Sequence, residues 1–194
     1  KRDLLSATLR FRKTLSENRI IEKIMSQTGH KTIFAIATPP GRSAIAVIRV
    51  SGPLAGDVPA LFGACCPSAG QFSVARLVLD QRVIDQVILL FMKAPFSSTG
   101  EDVCEIHCHG SRAVIDFLLA RLGAEDGFSM AKPGEFTRRS FMNGKMDLSG
   151  VEGLADLIEA ETATQLHQSW AQIDGALHAP VMTWRGELVG IASQ

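Results

Sequence analysis

The chain has 194 residues, of which 46% are hydrophobic and 21% are charged, and its 20 basic and 20 acidic side chains balance. This composition is typical of a globular protein with room for one ordinary domain and part of a second. It excludes a global basic field for nucleic acid, a membrane span of about 18 apolar residues, and a disulfide framework, because the four cysteines form two close pairs.

Residue patterns predict strands first and helices later. Strands are predicted near residues 32–37, 44–50, 72–79, 85–92 and 103–109. Helices are predicted after Ser51 (as N-cap), over residues 111–123, between Pro133 and Gly144, and from Ser149 onwards. Pro180 is expected to break or kink the last of these helices.

The same patterns divide the chain into three parts. Residues 1–28, rich in Arg, Lys, Ser and Thr, are predicted to be a leader that is disordered or partly helical. Residues 29–145 are predicted to form the main domain. A long helical stripe needs other helices to bury its apolar side, so residues 146–194 are predicted to be the truncated start of a helical domain.

Residues 103–110, VCEIHCHG, are dense enough in cysteine and histidine to suggest zinc. In a strand, however, Cys104 and Cys108 face one side, while Glu105, His107 and His109 face the other. A tetrahedral site needs converging ligands, so the thiols and imidazoles do not suit one ion. We therefore predict that the cysteines are core filler and that the chain holds no metal. A metal shared by the two histidines and an outside ligand is the alternative.

Two short segments, PPGRS and NGKM, superficially resemble phosphate-binding loops. The motif GxxxxGK[ST] requires another glycine five residues before the second one. Those positions hold Ile36 and Arg139. The chain therefore has no nucleotide-binding loop of this type.

Three longer segments carry a family resemblance: TIFAIATPPGRSAIAVIRVSGP, STGEDVCEIHCHG and PGEFTRRSFMNGKMDLSGVEGLADLIEAET. Together they closely resemble the N-terminal region of the MnmE/TrmE family of tRNA-modification GTPases. The resemblance extends from about residue 31 to about residue 177. Three long motifs in the family's order make it specific.

The resemblance implies an α+β fold with a mixed sheet and packed helices, similar to the folate-binding domain of aminomethyltransferases, followed by the start of an all-α domain. It implies a homodimer that binds a tetrahydrofolate derivative, either 5-formyl- or methylene-tetrahydrofolate. In that family the full protein acts with an FAD-dependent partner, MnmG/GidA, on C5 of the wobble uridine of tRNA. The expected location is the cytoplasm, or the mitochondrion in a eukaryote, with no membrane association.

The family's folate-contacting residues fall on Arg49, Glu105 and Lys145. A carboxylate such as Glu105 suits the donor-rich pterin edge, which it can accept from bidentately. Arg49 and Lys145 suit the anionic glutamyl tail. His107, one pleat along from Glu105, is expected to tolerate replacement by glutamine.

The resemblance leaves alternatives open. The family's GTPase domain and its C-terminal cysteine segment are absent from these residues, so the chain is not expected to be catalytic alone. It could instead be an interaction fragment without activity, a freestanding folate-dependent one-carbon-transfer enzyme, or a metal-binding module. The continuing helical motif after Lys145 favours the GTPase family over a freestanding enzyme.

Overall fold

A computed structural model describes residues 31–176 and 178–193, and the predicted leader lies outside these residues. The strands are β1 (Thr32–Ile36), β2 (Ser43–Ser51), β3 (Gln71–Leu79), β4 (Arg82–Met92), β5 (Val103–Gly110) and β6 (Phe128–Met130). The α-helices are α1 (Arg112–Gly123), α2 (Glu135–Met142), α3 (Leu148–Glu159), α4 (Ala163–Ile173) and α5 (His178–Ala192), and a 3-10 helix spans Ala55–Phe62. No helix in the described ranges is long and apolar enough to cross a membrane.

The strands form one mixed six-stranded sheet in the order β3-β4-β5-β2-β1-β6. All neighbours are antiparallel except β1 and β6, which are parallel. The predicted α+β fold with a mixed sheet and several helices is therefore confirmed. The short strand β6 was not predicted, because three residues are too few to show an alternating pattern.

Side chains of β5 alternate between the two faces of the sheet as the sequence predicted. Cys104, Ile106 and Cys108 are buried and belong to the hydrophobic core, together with residues of α1 and the 3-10 helix. Glu105 and His107 lie on the opposite face, which we call the polar face. The sheet therefore separates the core from a face that carries charged groups.

The segment after β2 differs from its prediction. Ser51 does not cap a helix: it ends β2, and its hydroxyl contacts Thr99 (2.7 Å) and donates to Glu101 (2.7 Å). The helix begins later, at Ala55, and has 3-10 geometry. Pro59 lies inside it and has no N–H for an α-helical bond, which disfavours regular α-helical geometry in this segment.

The C-terminal helices also correct the prediction. Asp147, rather than Ser149, caps α3 by accepting a bond from the Gly150 N–H. The predicted stripe is interrupted after α3, and a capping box between Thr162 and Gln165 starts α4. The helix before Pro180 ends at Ile173, so the expected break falls a few residues before the proline. Pro180 itself lies in the first turn of α5, where no intrahelical partner needs its N–H.

A buried arginine of α2 holds that helix against the sheet. Arg139 is 8% exposed. It donates to Glu101 (2.8 Å) and to the carbonyls of Lys31 (3.0 Å) and Ser51 (3.4 Å). One side chain thus joins α2 to the start of β1, the end of β2 and the loop before β5.

Replacing Arg139 should therefore destabilise the fold. Arg139→Met removes the guanidinium that pairs with Glu101 and donates to two carbonyls, and we expect a loss of about 3 kcal/mol in the free energy of unfolding. Arg138→Met is the matched control, because Arg138 is exposed and the change should stay within about 0.5 kcal/mol. Urea unfolding followed by circular dichroism measures both, and equal midpoints would contradict the role assigned to Arg139.

The position of the cysteines predicts their reactivity. Burial raises the pKa of Cys104 to about 12 and that of Cys108 to about 11. Both thiols therefore stay protonated at neutral pH, and the thiolate is the reactive form. Cys65 and Cys66 are exposed.

We expect a disulfide-exchange reagent to titrate Cys65 and Cys66 in the native protein and all four thiols only after unfolding. Burial raises the pKa of Cys66 too, so Cys66 should react more slowly than an ordinary free thiol at neutral pH. Absorbance of the released thiol gives the count. Four rapidly reacting thiols in the native protein would show that Cys104 and Cys108 are not core filler.

Candidate functional site

Two of the three predicted site residues meet at the centre of the polar face. Arg49 on β2 and Glu105 on β5 are register partners in the antiparallel pair. The Arg49 Nε donates to Oε1 of Glu105 (2.8 Å), and Nη2 lies 2.7 Å from the same oxygen. The Glu105 side chain is only 10% exposed, and that of Arg49 is 32% exposed. The structure therefore forms a half-buried ion pair from residues 56 positions apart.

The other oxygen of Glu105 contacts His107. The imidazole Nε2 lies 3.1 Å from Oε2, and the two residues are neighbours on one face of β5. The sequence placed His107 on the correct face but did not predict this contact. Sequence spacing of two in a strand was the available signal, since i and i+2 side chains share a face.

Helix α2 covers part of this site with an aromatic ring. The Arg49 guanidinium carbon lies 5.9 Å from the centre of the Phe136 ring, which is the geometry of a cation–π contact. Phe136 is three residues before Arg139 on the same helix, so the hydrogen bonds that tie Arg139 to Glu101 and to two carbonyls also hold the ring in place. Phe136 carries no signal of this role in the sequence, because an aromatic residue at the start of a helix usually belongs to the core.

Lys145, the third predicted residue, lies beside the loop between β4 and β5. Its ammonium donates to the carbonyl of Pro95 (2.8 Å). Within the described part of the chain, Lys145 makes no hydrogen bond or ion pair with Arg49 or Glu105. Of the three predicted residues, Arg49 and Glu105 are therefore in direct contact, while Lys145 lies apart from them.

The loop beneath Lys145 is nevertheless connected to the polar face. A carbon of the Lys145 side chain lies close to Gly100, and Asn143 donates to the carbonyl of Thr99 (2.7 Å). Thr99 in turn contacts Ser51, which lies on β2 two residues from Arg49. Lys145 is thus anchored to a loop that packs on the same strand as Arg49.

A second carboxylate–imidazole pair lies further along β5. Asp85 of β4 accepts from the backbone N–H of His109 (2.8 Å), and its Oδ1 lies 2.6 Å from the ring Nδ1. Burial alone would raise the pKa of Asp85, but the bonds from His109 and from the Gln86 N–H lower it below its ordinary value. No local sequence pattern predicts this pair, because Asp85 and His109 are 24 positions apart.

An open pocket of about 340 Å³ adjoins the site. His107 and His109 line it together with apolar side chains, among them Ile45, Val74 and Ile88. In the described residues no group of three or more His, Cys, Asp or Glu side chains could hold a metal ion. The described part of this face thus presents two carboxylates, Glu105 and Asp85, each paired with an imidazole, and the Arg49 guanidinium, next to an apolar wall.

Comparisons with known proteins agree with the motifs. The family model for the GTP-binding protein TrmE N-terminus matches residues 32–145. The tRNA modification GTPase MnmE of Caulobacter vibrioides is 48% identical over 158 residues, which is 81% of this chain and 35% of that protein. The MnmE proteins of Beijerinckia indica and Roseobacter denitrificans are each 46% identical, over 82% and 84% of this chain.

The matched region includes all three predicted site residues, Arg49, Glu105 and Lys145. The chain spans about a third of the length of these curated relatives. Identity near one half over most of the chain, together with the family model, decides the assignment: the chain belongs to the TrmE/MnmE family of tRNA-modification GTPases and corresponds to its N-terminal region.

Proposed function

We propose that this chain is the tetrahydrofolate-binding and dimerisation module of a tRNA-modification GTPase. The observation that carries the proposal is the half-buried pair of Arg49 and Glu105 on an open sheet face. An ion pair at this depth stabilises a fold only weakly, whereas it presents fixed donors and acceptors to a ligand. The ligand would be a one-carbon-carrying folate, 5-formyl- or methylene-tetrahydrofolate.

The chemistry of the residues fits such a ligand. The pterin ring has a donor-rich edge, which a carboxylate such as Glu105 accepts from. The glutamyl tail is anionic and suits cationic side chains. Lys145 has three N–H donors and gives one to Pro95, so two remain for a tail carboxylate. Arg49 adds a guanidinium that Phe136 and Glu105 hold in one orientation.

The proposed homodimer is supported by apolar side chains on the same face of the sheet. Phe72, Val74, Ile45 and Ile88 are 69%, 62%, 61% and 42% exposed. Exposed apolar groups that cluster on one face mark protein-interaction surfaces more often than scattered ones do. A second copy of the chain is the occupant that the proposed function requires.

The activity of the whole protein is also a proposal. The matched relatives are named tRNA modification GTPases, and we infer that this chain contributes the one-carbon donor site to such a reaction. The reaction would modify C5 of the wobble uridine together with an FAD-dependent partner of the MnmG/GidA type, in the cytoplasm or the mitochondrion. No residue described above is assigned to GTP hydrolysis, since the phosphate-loop motif is absent from the sequence.

Glu105→Gln tests the folate site. The loss of one charged partner should weaken binding of 5-formyl-tetrahydrofolate by about tenfold to a hundredfold, which corresponds to roughly 1.5–3 kcal/mol. Calorimetric titration measures the affinity, and circular dichroism checks the fold.

Glu125→Gln is the matched control, because Glu125, just after the end of α1, also pairs with an arginine, Arg121 of α1. It should leave the affinity unchanged. If Glu105→Gln binds folate as tightly as the parent chain, Glu105 is not a ligand contact.

Lys145→Met tests the proposed contact with the glutamyl tail. Lys145 is exposed, so its loss should weaken binding by only about twofold to fivefold at low salt. The difference from the parent should shrink as salt is added, because salt screens exposed charges. Lys132→Met, at another exposed lysine, is the control. A Lys145 effect that does not depend on salt would argue against an electrostatic role.

A further inference from the structure

The two oxygens of Glu105 are not equivalent. Oε1 faces two guanidinium nitrogens of Arg49, at 2.8 and 2.7 Å. Oε2 has one neighbour in the described part of the chain, the imidazole Nε2 of His107 at 3.1 Å. Each carboxylate oxygen has two lone-pair positions, so the open acceptor position is on Oε2. A ligand donor would therefore meet the oxygen that His107 contacts.

The surroundings of His107 direct its ring towards Glu105. Its register partners on the two flanking strands are Val47 on β2 and Ile88 on β4, both apolar. The nearest charged residues on those two strands are not directly opposite His107. Arg49 on β2 is bound to Glu105, and Asp85 on β4 is bound to His109. Among the described residues, the charged partner within hydrogen-bond distance of the ring is thus the Glu105 carboxylate.

We propose that His107 is the positioning residue of the ligand site: its Nε2–H fixes Oε2 of Glu105 so that the free lone pair points to the ligand. The inference rests on the proposed folate function. An ionised carboxylate only accepts hydrogen bonds, so His107 must donate from Nε2. The ligand would then be recognised mainly through one oxygen of Glu105, rather than bidentately through both as the sequence suggested.

If His107 acts as a hydrogen-bond donor, two substitutions at this position should differ in their effect on ligand binding. Glutamine carries an amide N–H that can reach Oε2 as the imidazole does, whereas leucine has similar bulk and no donor. Without the donor at position 107, the Glu105 carboxylate is free to rotate about its last side-chain torsion, because the energy minimum of that torsion is broad. The ligand would then have to order it again on binding.

The experiment measures binding of 5-formyl-tetrahydrofolate to the parent chain, His107→Leu and His107→Gln by calorimetry. We expect His107→Leu to bind about five- to twentyfold more weakly and His107→Gln to stay within about threefold of the parent. Rescue by glutamine distinguishes positioning from bulk, because leucine fills the site at least as well. In the background of Glu105→Gln, His107→Leu should have less than half its effect.

The outcomes separate the two proposals. If the parent binds folate and His107→Leu binds equally tightly, the positioning role is overturned and the proposed function stands. If leucine and glutamine weaken binding equally, the donor is irrelevant and the role is likewise overturned. If the parent chain binds no folate while circular dichroism shows it folded, the proposed function fails, and the inference fails with it.

Discussion

The register of β2 against β5 is the constraint on which both the core and the site depend. In this pairing Ile48 lies opposite Ile106, and Arg49 lies opposite Glu105. The first pair is fully buried, while the second lies on the polar face. A slip of one residue would send every side chain of a strand to the wrong face. Burial of the isoleucines therefore also fixes the distance between the two charges.

Because the buried core sets the strand register, the ion pair between Arg49 and Glu105 can have a defined geometry although it is weak. The Arg49 side chain is 32% exposed, so solvent screening leaves its pair with Glu105 little net stabilising energy. The hydrophobic core and the buried hydrogen bonds of Arg139 supply the stability instead. The charged groups at the centre of the sheet are consequently free to serve recognition, at a position that the rigid strands define within narrow limits.

Local patterns in the sequence were sufficient to predict most elements and the faces of β5. Alternation assigned Cys104 to the core and Glu105 to the polar face, because a strand has a period of two. Contacts that depend on register were beyond these patterns. The partner of Asp85 is 24 residues away, and Ser51, which looks like a helix cap, is bound instead by the distant Thr99 and Glu101.

The C-terminal helices show a different limit of prediction from sequence. Apolar spacing predicted helix over most of residues 149–177, yet it could not locate the break after α3. That break lets α3 pack against α4 at Gly153, where an added Cβ would lie 2.9 Å from the Cβ of Gln172. A glycine inside a helix usually costs stability, so its presence reflects a close approach that only the tertiary structure makes visible.

The polar face divides into two parts with different chemistry. Charged groups occupy the central strands β2 and β5, while Phe72 and Val74 project from β3 at the edge of the sheet. His107 lies between them, since it contacts Glu105 on one side and lines the pocket with Val74 on the other. A second chain covering the apolar part would exclude water next to His107, and hydrogen bonds strengthen as the local dielectric falls. The folate binding and the dimerisation proposed above would therefore be coupled through the hydrogen bond between His107 and Glu105.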